Sequence, residues 1–176
     1  MIDFDTSVAV VLRHEGGLVD DPVDPGGLTN FGISWRWASA NAQGSDFGHD
    51  GPAVRDDITN MTREQAAAIY RKYWWMKNGY DRLTDQDSAT KVLDASVNMG
   101  PSQAHKLAQR AAGVADDGIF GPGTVASVNG MGHDSFLRAM CQQQAAFYRN
   151  LAAARPSLSK FLTGWLKRSS WPFPPP

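Results

Sequence analysis

Apolar residues recur at helical spacing through most of this chain, and glycine and proline punctuate the segments that carry the pattern. Val8, Val11 and Leu12 share one face of a helix predicted over Asp5 to Glu15. Asp5 or Thr6 would cap it and Gly16-Gly17 would stop it, leaving Glu15 in the last turn. Val19 to Ser34 contains Asp-Pro twice and Gly26-Gly27, then an apolar and polar mixture ending in Gly32-Ile33. It reads as a loop followed by a small β-hairpin. Ser34 to Gln43 is a modest helix, and Gly44 to Asn60, rich in Gly and Asp, a surface loop. Thr62 and Gln65 have the spacing of a capping box, which opens a helix through Ile69, Tyr70, Tyr73 and Trp74 toward Asn78-Gly79.

The second half repeats the helical pattern without repeating the sequence. A helix through Val92, Ala95, Ser96 and Met99 should stop at Gly100-Pro101, and Ser102 can cap the next, which carries Ala104, Leu107, Ala108 and Ala111 on one face. Asp116 to Thr124 is a turn leading to a short helix with Pro122 in its first turn. Ser135 to Arg155 is a long helix broken by Pro156, and a last helix covers about Ser157 to Arg168. The prolines after Trp171 predict an extended tail. The fold class is therefore mainly α, with one small β-hairpin. The expected organisation is an N-terminal lobe over 1–84, a helical lobe over 85–170 packed on it as one unit, and a Pro-rich tail over 171–176.

Composition narrows the function. Hydrophobic residues make up 42% and charged residues 20%, as in an ordinary globular domain. The net charge of -1 includes no long basic block, which argues against nucleic acid as a partner. Cys141 is the only cysteine, so no intrachain disulfide can form, and its place in a long helix suits a small core residue. The first residues lack the pattern of a secretory signal, and no stretch approaches the roughly 20 apolar residues of a membrane span. The expectation is a monomer that waits in the cytoplasm and reaches an outside substrate only when something else releases it. His14, His49, His105 and His133 are scattered, and no His or Cys pair has ligand spacing, so neither a metal nor another cofactor is expected. Asp116-Asp117-Gly118 lacks the carboxylate spacing of a Ca²⁺ loop and reads as a turn.

The chemistry concentrates between His14 and Ser34. A helix C-terminus carries partial negative charge and disfavours an ionised carboxylate, and a Glu that holds its proton near neutral pH is what a general acid requires. Glycoside cleavage pairs such an acid with a carboxylate across the bond. Asp24 stands nine residues beyond Glu15 and Thr29 five further, and Asp20 and Asp21 are also near.

The run His14-Glu-Gly-Gly, then Asp21-Pro-x-Asp-Pro-Gly-Gly-x-Thr-Asn-x-Gly-Ile33, resembles glycoside hydrolase family 108, the N-acetylmuramidases of phage endolysins and of bacterial relatives called secretion activators. Ala66 to Trp74 resembles the helix after the hairpin in that family. Leu93 to Pro101, Asp117 to Thr124 and Phe161 to Arg168 resemble its C-terminal peptidoglycan-binding lobe. The resemblance implies a lysozyme-like fold, with Glu15 as catalytic acid and peptidoglycan glycan strands as partner. Analogy to phage lysozymes of the Glu, Asp, Thr type puts Asp24 and Thr29 forward as the pair that holds the attacking water.

Around them, Asn30 and Phe31 are candidates to line a sugar cleft, Tyr73 and Trp74 to form a carbohydrate platform, and Asn98 to face the cleft. Hairpin packing and core packing are the competing explanations. The implied activity is hydrolysis of the β-1,4 bond between N-acetylmuramic acid and N-acetylglucosamine, leading to host lysis after release through a holin or similar pore. The alternatives are a non-catalytic peptidoglycan-binding or secretion-assisting protein and a lytic transglycosylase.

Overall fold

The structure is a computed structural model that describes residues 2–20 and 27–174. Helix α1 spans Phe4–His14. Its N-cap is Asp3, two residues ahead of the expected start, because the Asp3 carboxylate accepts from the backbone N–H groups of Asp5 and Thr6. Asp5 instead lies in the first turn, where its charge complements the helix dipole. Glu15 is the C-cap. Its N–H still bonds to the Val11 carbonyl, but its ψ of 142° turns the chain out of the helix one residue before the glycines.

The chain then forms a three-stranded antiparallel sheet, β1 (Val19–Asp20), β2 (Leu28–Asn30) and β3 (Ile33–Ser34), in that order. The expected hairpin is β2–β3, and β1 adds a strand the alternation did not reveal, since both its residues are exposed. Asn30 pairs with Ile33, so the hairpin loop is Phe31-Gly32, with φ of 47° and 79°. Positive φ at both loop residues is the type I′ pattern, whose twist matches that of the flanking strands. Gly32 adopts it freely, whereas Phe31 pays roughly 1–3 kcal/mol of backbone strain.

The modest helix expected over Ser34 to Gln43 is α2 (Trp35–Asn41), with Ser34 as its N-cap, its hydroxyl accepting from the Trp37 N–H. The stretch over 44–60 is more ordered than expected, with a 3₁₀ turn at Gly44–Asp46 and a short α3 (Arg55–Thr59) that buries Ile58. Thr62 and Gln65 form the reciprocal capping box that starts α4 (Arg63–Tyr70). The predicted continuation is not α-helical, because Arg71–Met76 widens into a π-helix. The wider winding sends consecutive aromatics to opposite sides. Trp75 enters the core against Phe4, ring centroids 5.5 Å apart, while Tyr73 and Trp74 meet Trp37 of α2.

Helix α5 (Gln86–Met99) is the axis of the molecule. Nine successive residues, Ser88 to Ser96, are buried, which requires protein on every side and explains its run of small residues. It packs on α1, on α6 (Pro101–Ala111) and on the long α8 (His133–Ala154). Pro101 occupies the first turn of α6 and Gly100 its N-cap, so Ser102 is not the cap. The loop after α6 is organised by buried Gln109, whose amide donates to Asp117 and whose carbonyl accepts from the Gly118 N–H; α7 (Pro122–Gly130) follows.

After α8, a 3₁₀ segment (Pro156–Phe161) precedes α9 (Leu162–Ser170) where one helix was expected. The start of the tail is tied down. Fully buried Lys91 of α5 donates to the carbonyls of Ser169 and Trp171, each at 2.6 Å, and the Arg138 guanidinium lies 4.4 Å over the Phe173 ring. No helix among the described residues is long and apolar enough to cross a membrane.

Candidate active site

Glu15 sits where α1 hands over to the sheet. One carboxylate oxygen, Oε1, accepts a 2.8 Å hydrogen bond from the Arg168 guanidinium of α9, 153 residues away in sequence. The other, Oε2, lies against the hairpin turn. A Cβ placed on Gly32 would come within 2.5 Å of Oε2 and 2.7 Å of the Tyr70 hydroxyl. Gly32 is therefore needed twice, for its φ and for the close approach of the carboxylate. The Tyr70 hydroxyl donates to the Phe31 carbonyl at 2.8 Å, pinning the strained turn from below. Burial, and secondarily the charge of Glu15, push the Tyr70 phenol far above its usual range, so it stays a donor.

Arg168 is held from behind by Asp94 of α5, a carboxylate only 1% exposed. Its guanidinium contacts Asp94 Oδ1 at 2.9 Å and Oδ2 at 3.1 Å, and His14 Nδ1 shares a 2.9 Å hydrogen bond with Oδ1. Burial alone would raise the Asp94 carboxyl, but the hydrogen bond from His14 and the charge of Arg168 hold it below the usual carboxylate range. Glu15, Arg168, Asp94 and His14 thus form one hydrogen-bonded chain across α1, α5 and α9.

Beyond Gly32 opens a cleft of about 510 Å³. One wall is the turn and its neighbours Ile33 and Ser34; the opposite wall is the α5–α6 junction at Ser96, Val97, Gly100 and Pro101. Trp37, Tyr73 and Trp74 make its aromatic side. Trp37 and Trp74 are tilted at 40° with centroids 4.7 Å apart. The Tyr73 hydroxyl is committed to Asp46 at 2.8 Å, whereas buried Trp74 Nε1 has no partner among the described residues.

The other sequence candidates fall as follows. Thr29 lies at the centre of the sheet, half-buried, with Oγ1 donating to the Gly27 carbonyl at 3.3 Å. Asn30 is buried and donates to the Ile58 carbonyl at 3.0 Å, so it ties the hairpin to α3 and does not line the cleft. Phe31 packs against the core through a half-buried ring and is likewise absent from the cleft wall. Asn98 accepts from the Tyr148 hydroxyl and faces a second cleft beside Arg168, not the aromatic one. Asp24 lies outside the described residues. Sequence reasoning missed Trp37, Asp94 and Arg168. The available signal was Asp94 within the apolar run Val92-Leu93-Asp94-Ala95, since a carboxylate there must be paired.

The sequence matches the family model described as Glycosyl hydrolase 108 over residues 8–100. The chain belongs to that family. A second model, described as Predicted Peptidoglycan domain, matches residues 103–170. Among solved structures, SagA of Brucella abortus is similar at 32% identity with a TM-score of 0.75, covering 95% of this chain and 89% of that one. No curated protein matches the chain. The pairing of modules makes this a glycoside-hydrolase chain directed at peptidoglycan, on the lysozyme-like, mainly α fold expected from its sequence. The glycosyl hydrolase 108 match ends at Gly100, so α5 belongs to the first module while packing against helices of both.

Gly32 gives a direct test of this geometry. Gly32→Ala is expected to cost about 1–3 kcal/mol of stability and to displace the Glu15 carboxylate, cutting peptidoglycan digestion well beyond the stability loss. Urea unfolding and digestion rates measured side by side check it. A variant that is stable and digests at the wild-type rate would contradict the close packing of Glu15 on the turn.

Proposed function

We propose that the protein is an N-acetylmuramidase that hydrolyses the β-1,4 bond between N-acetylmuramic acid and N-acetylglucosamine, with Glu15 as general acid. The observation that carries the reading is the placement of Glu15 Oε2 against Gly32, which lines the aromatic cleft, while Oε1 is occupied by Arg168. The two oxygens therefore have different work. Arg168 fixes the carboxyl plane, and Oε2 is the atom from which a proton reaches the leaving sugar oxygen.

Asp24 with Thr29 is proposed to hold the attacking water, which makes the hydrolysis inverting. The aromatic wall supplies flat apolar surface for pyranose faces, with Tyr73 and Trp74 as the platform. The Trp74 N–H, without a partner among the described residues, suits the acetamido carbonyl that distinguishes these sugars from plain glucose. An endolysin role in host lysis, with release through a holin-type pore, is the setting proposed for this activity, supported by the pairing of a glycosidase module with a wall-binding module.

Mass spectrometry of digested peptidoglycan tests the chemistry. Hydrolysis leaves reducing muramic ends. Products ending in 1,6-anhydromuramic acid would instead establish a transglycosylase, and no products at all would leave a wall-binding protein.

A further inference from the structure

A second cleft, of about 610 Å³, is lined by Arg168, the partner of Glu15. Arg13, Lys167 and Arg168 line it together with His14, and no carboxylate does among the described residues. That is a one-signed surface on a chain whose net charge is only -1. The two acids nearest to it, Glu15 and Asp94, are already engaged by Arg168 and His14. Arg13 and Lys167 are exposed and form no ion pair among the described residues. Besides Asn98 and Ser170, the remaining wall carries aromatic surface, with Trp165, stacked on Tyr148 at a centroid distance of 5.2 Å, and with Trp171 and Phe173.

We propose that this cleft is a subsite for the acidic peptide stem carried by the muramic acid whose bond is cleaved. The inference rests on the muramidase reading and deepens it. The stem hangs from a lactyl group on the sugar ring attacked beside Glu15, so it must leave the scissile bond within about one ring's width of the acid. Arg168 links the acid to this cleft, since its guanidinium is 2.8 Å from Glu15 and its side chain lines the basic wall. A stem peptide presents free carboxylates alternating with small alanine methyl groups. Arg13 and Lys167 match the former by charge, and Trp165 and Trp171 match the latter by apolar surface. Two clefts would then read the two parts of the polymer separately, sugar on the aromatic surface and peptide on the basic one.

The experiment measures binding, so that it does not depend on turnover. Glu15→Gln protein is titrated calorimetrically with a disaccharide muropeptide bearing its stem and with the same disaccharide lacking it. The stem should tighten binding by about tenfold at low salt, and the Arg13→Glu, Lys167→Glu double variant should erase that difference while leaving affinity for the bare disaccharide unchanged. The single variants Arg13→Ala and Lys167→Ala, each checked by thermal melting, should lose part of the preference if the double variant does not fold. Equal affinity for the two ligands, or equal loss for both in folded variants, overturns the proposal. So does competition by a phosphate-rich polyol polymer, but not by free stem peptide, which would assign the cleft to a phosphate polymer. If wild-type protein releases no reducing ends from peptidoglycan but the stem preference persists, the muramidase reading fails and the subsite stands.

Discussion

Replacing Glu15 by Gln is expected to lower the release of reducing ends from purified peptidoglycan by about 10²–10⁴-fold, with little change in melting temperature. The amide keeps the shape of the carboxyl, and its oxygen can still accept from Arg168, so the hairpin turn, Tyr70 and the aromatic cleft stay in place. What it lacks is a proton to give from the atom that faces Gly32. Glu15→Asp tests the same point by distance, since shortening the side chain withdraws the acid from the turn while keeping its chemistry. Initial rates on one peptidoglycan preparation, with circular dichroism to confirm folding, decide the matter. A Gln variant that digests the wall at the wild-type rate would remove Glu15 from the mechanism.

The second large effect is on stability. Asp94→Asn should destabilise the protein by about 3–5 kcal/mol, because it strips a buried carboxylate from a guanidinium and an imidazole that have little access to water. Chemical denaturation would measure the loss, and a change below about 1 kcal/mol would mean that solvent already neutralises the network. The pH dependence has a definite sign. The Asp94 carboxyl is held below its usual range in the folded state, so it takes up protons more readily once unfolded. Its contribution is complete above the unfolded value near ~4 and is lost as the pH falls through the lower folded value. The wild-type melting temperature should therefore fall on acidification below about pH 4 more steeply than that of Asp94→Asn.

Features built from local chemistry were legible in the chain. The Thr62–Gln65 capping box and the helix-ending Gly100 both appear where the pattern puts them, because each depends on residues within a few positions. The departures come from tertiary forces. Arg71–Met76 carries an ordinary helical pattern, yet it winds wider where three consecutive aromatics serve a core and a cleft at once. Strand β1 has no apolar alternation to announce it and exists by pairing with β2.

For the site, the position of Glu15 at the end of α1 could be read from Val8 to Gly17. Its partner could not, since Arg168 reaches it across the whole fold. Asn30 shows the opposite error. Its polarity and place in the motif suggested a sugar contact, whereas its amide is used to satisfy the backbone of α3.

The separation between Glu15 and Arg168 also has a consequence in time. At ribosomal rates of 5–20 residues per second, 153 residues correspond to roughly 8 to 30 s between the emergence of one and of the other. The nascent chain thus exposes Glu15 long before the guanidinium that contacts it has been made. Assembly of the hydrogen-bonded chain therefore waits for α9, and a ribosome stalled before it carries Glu15 without the guanidinium that contacts it.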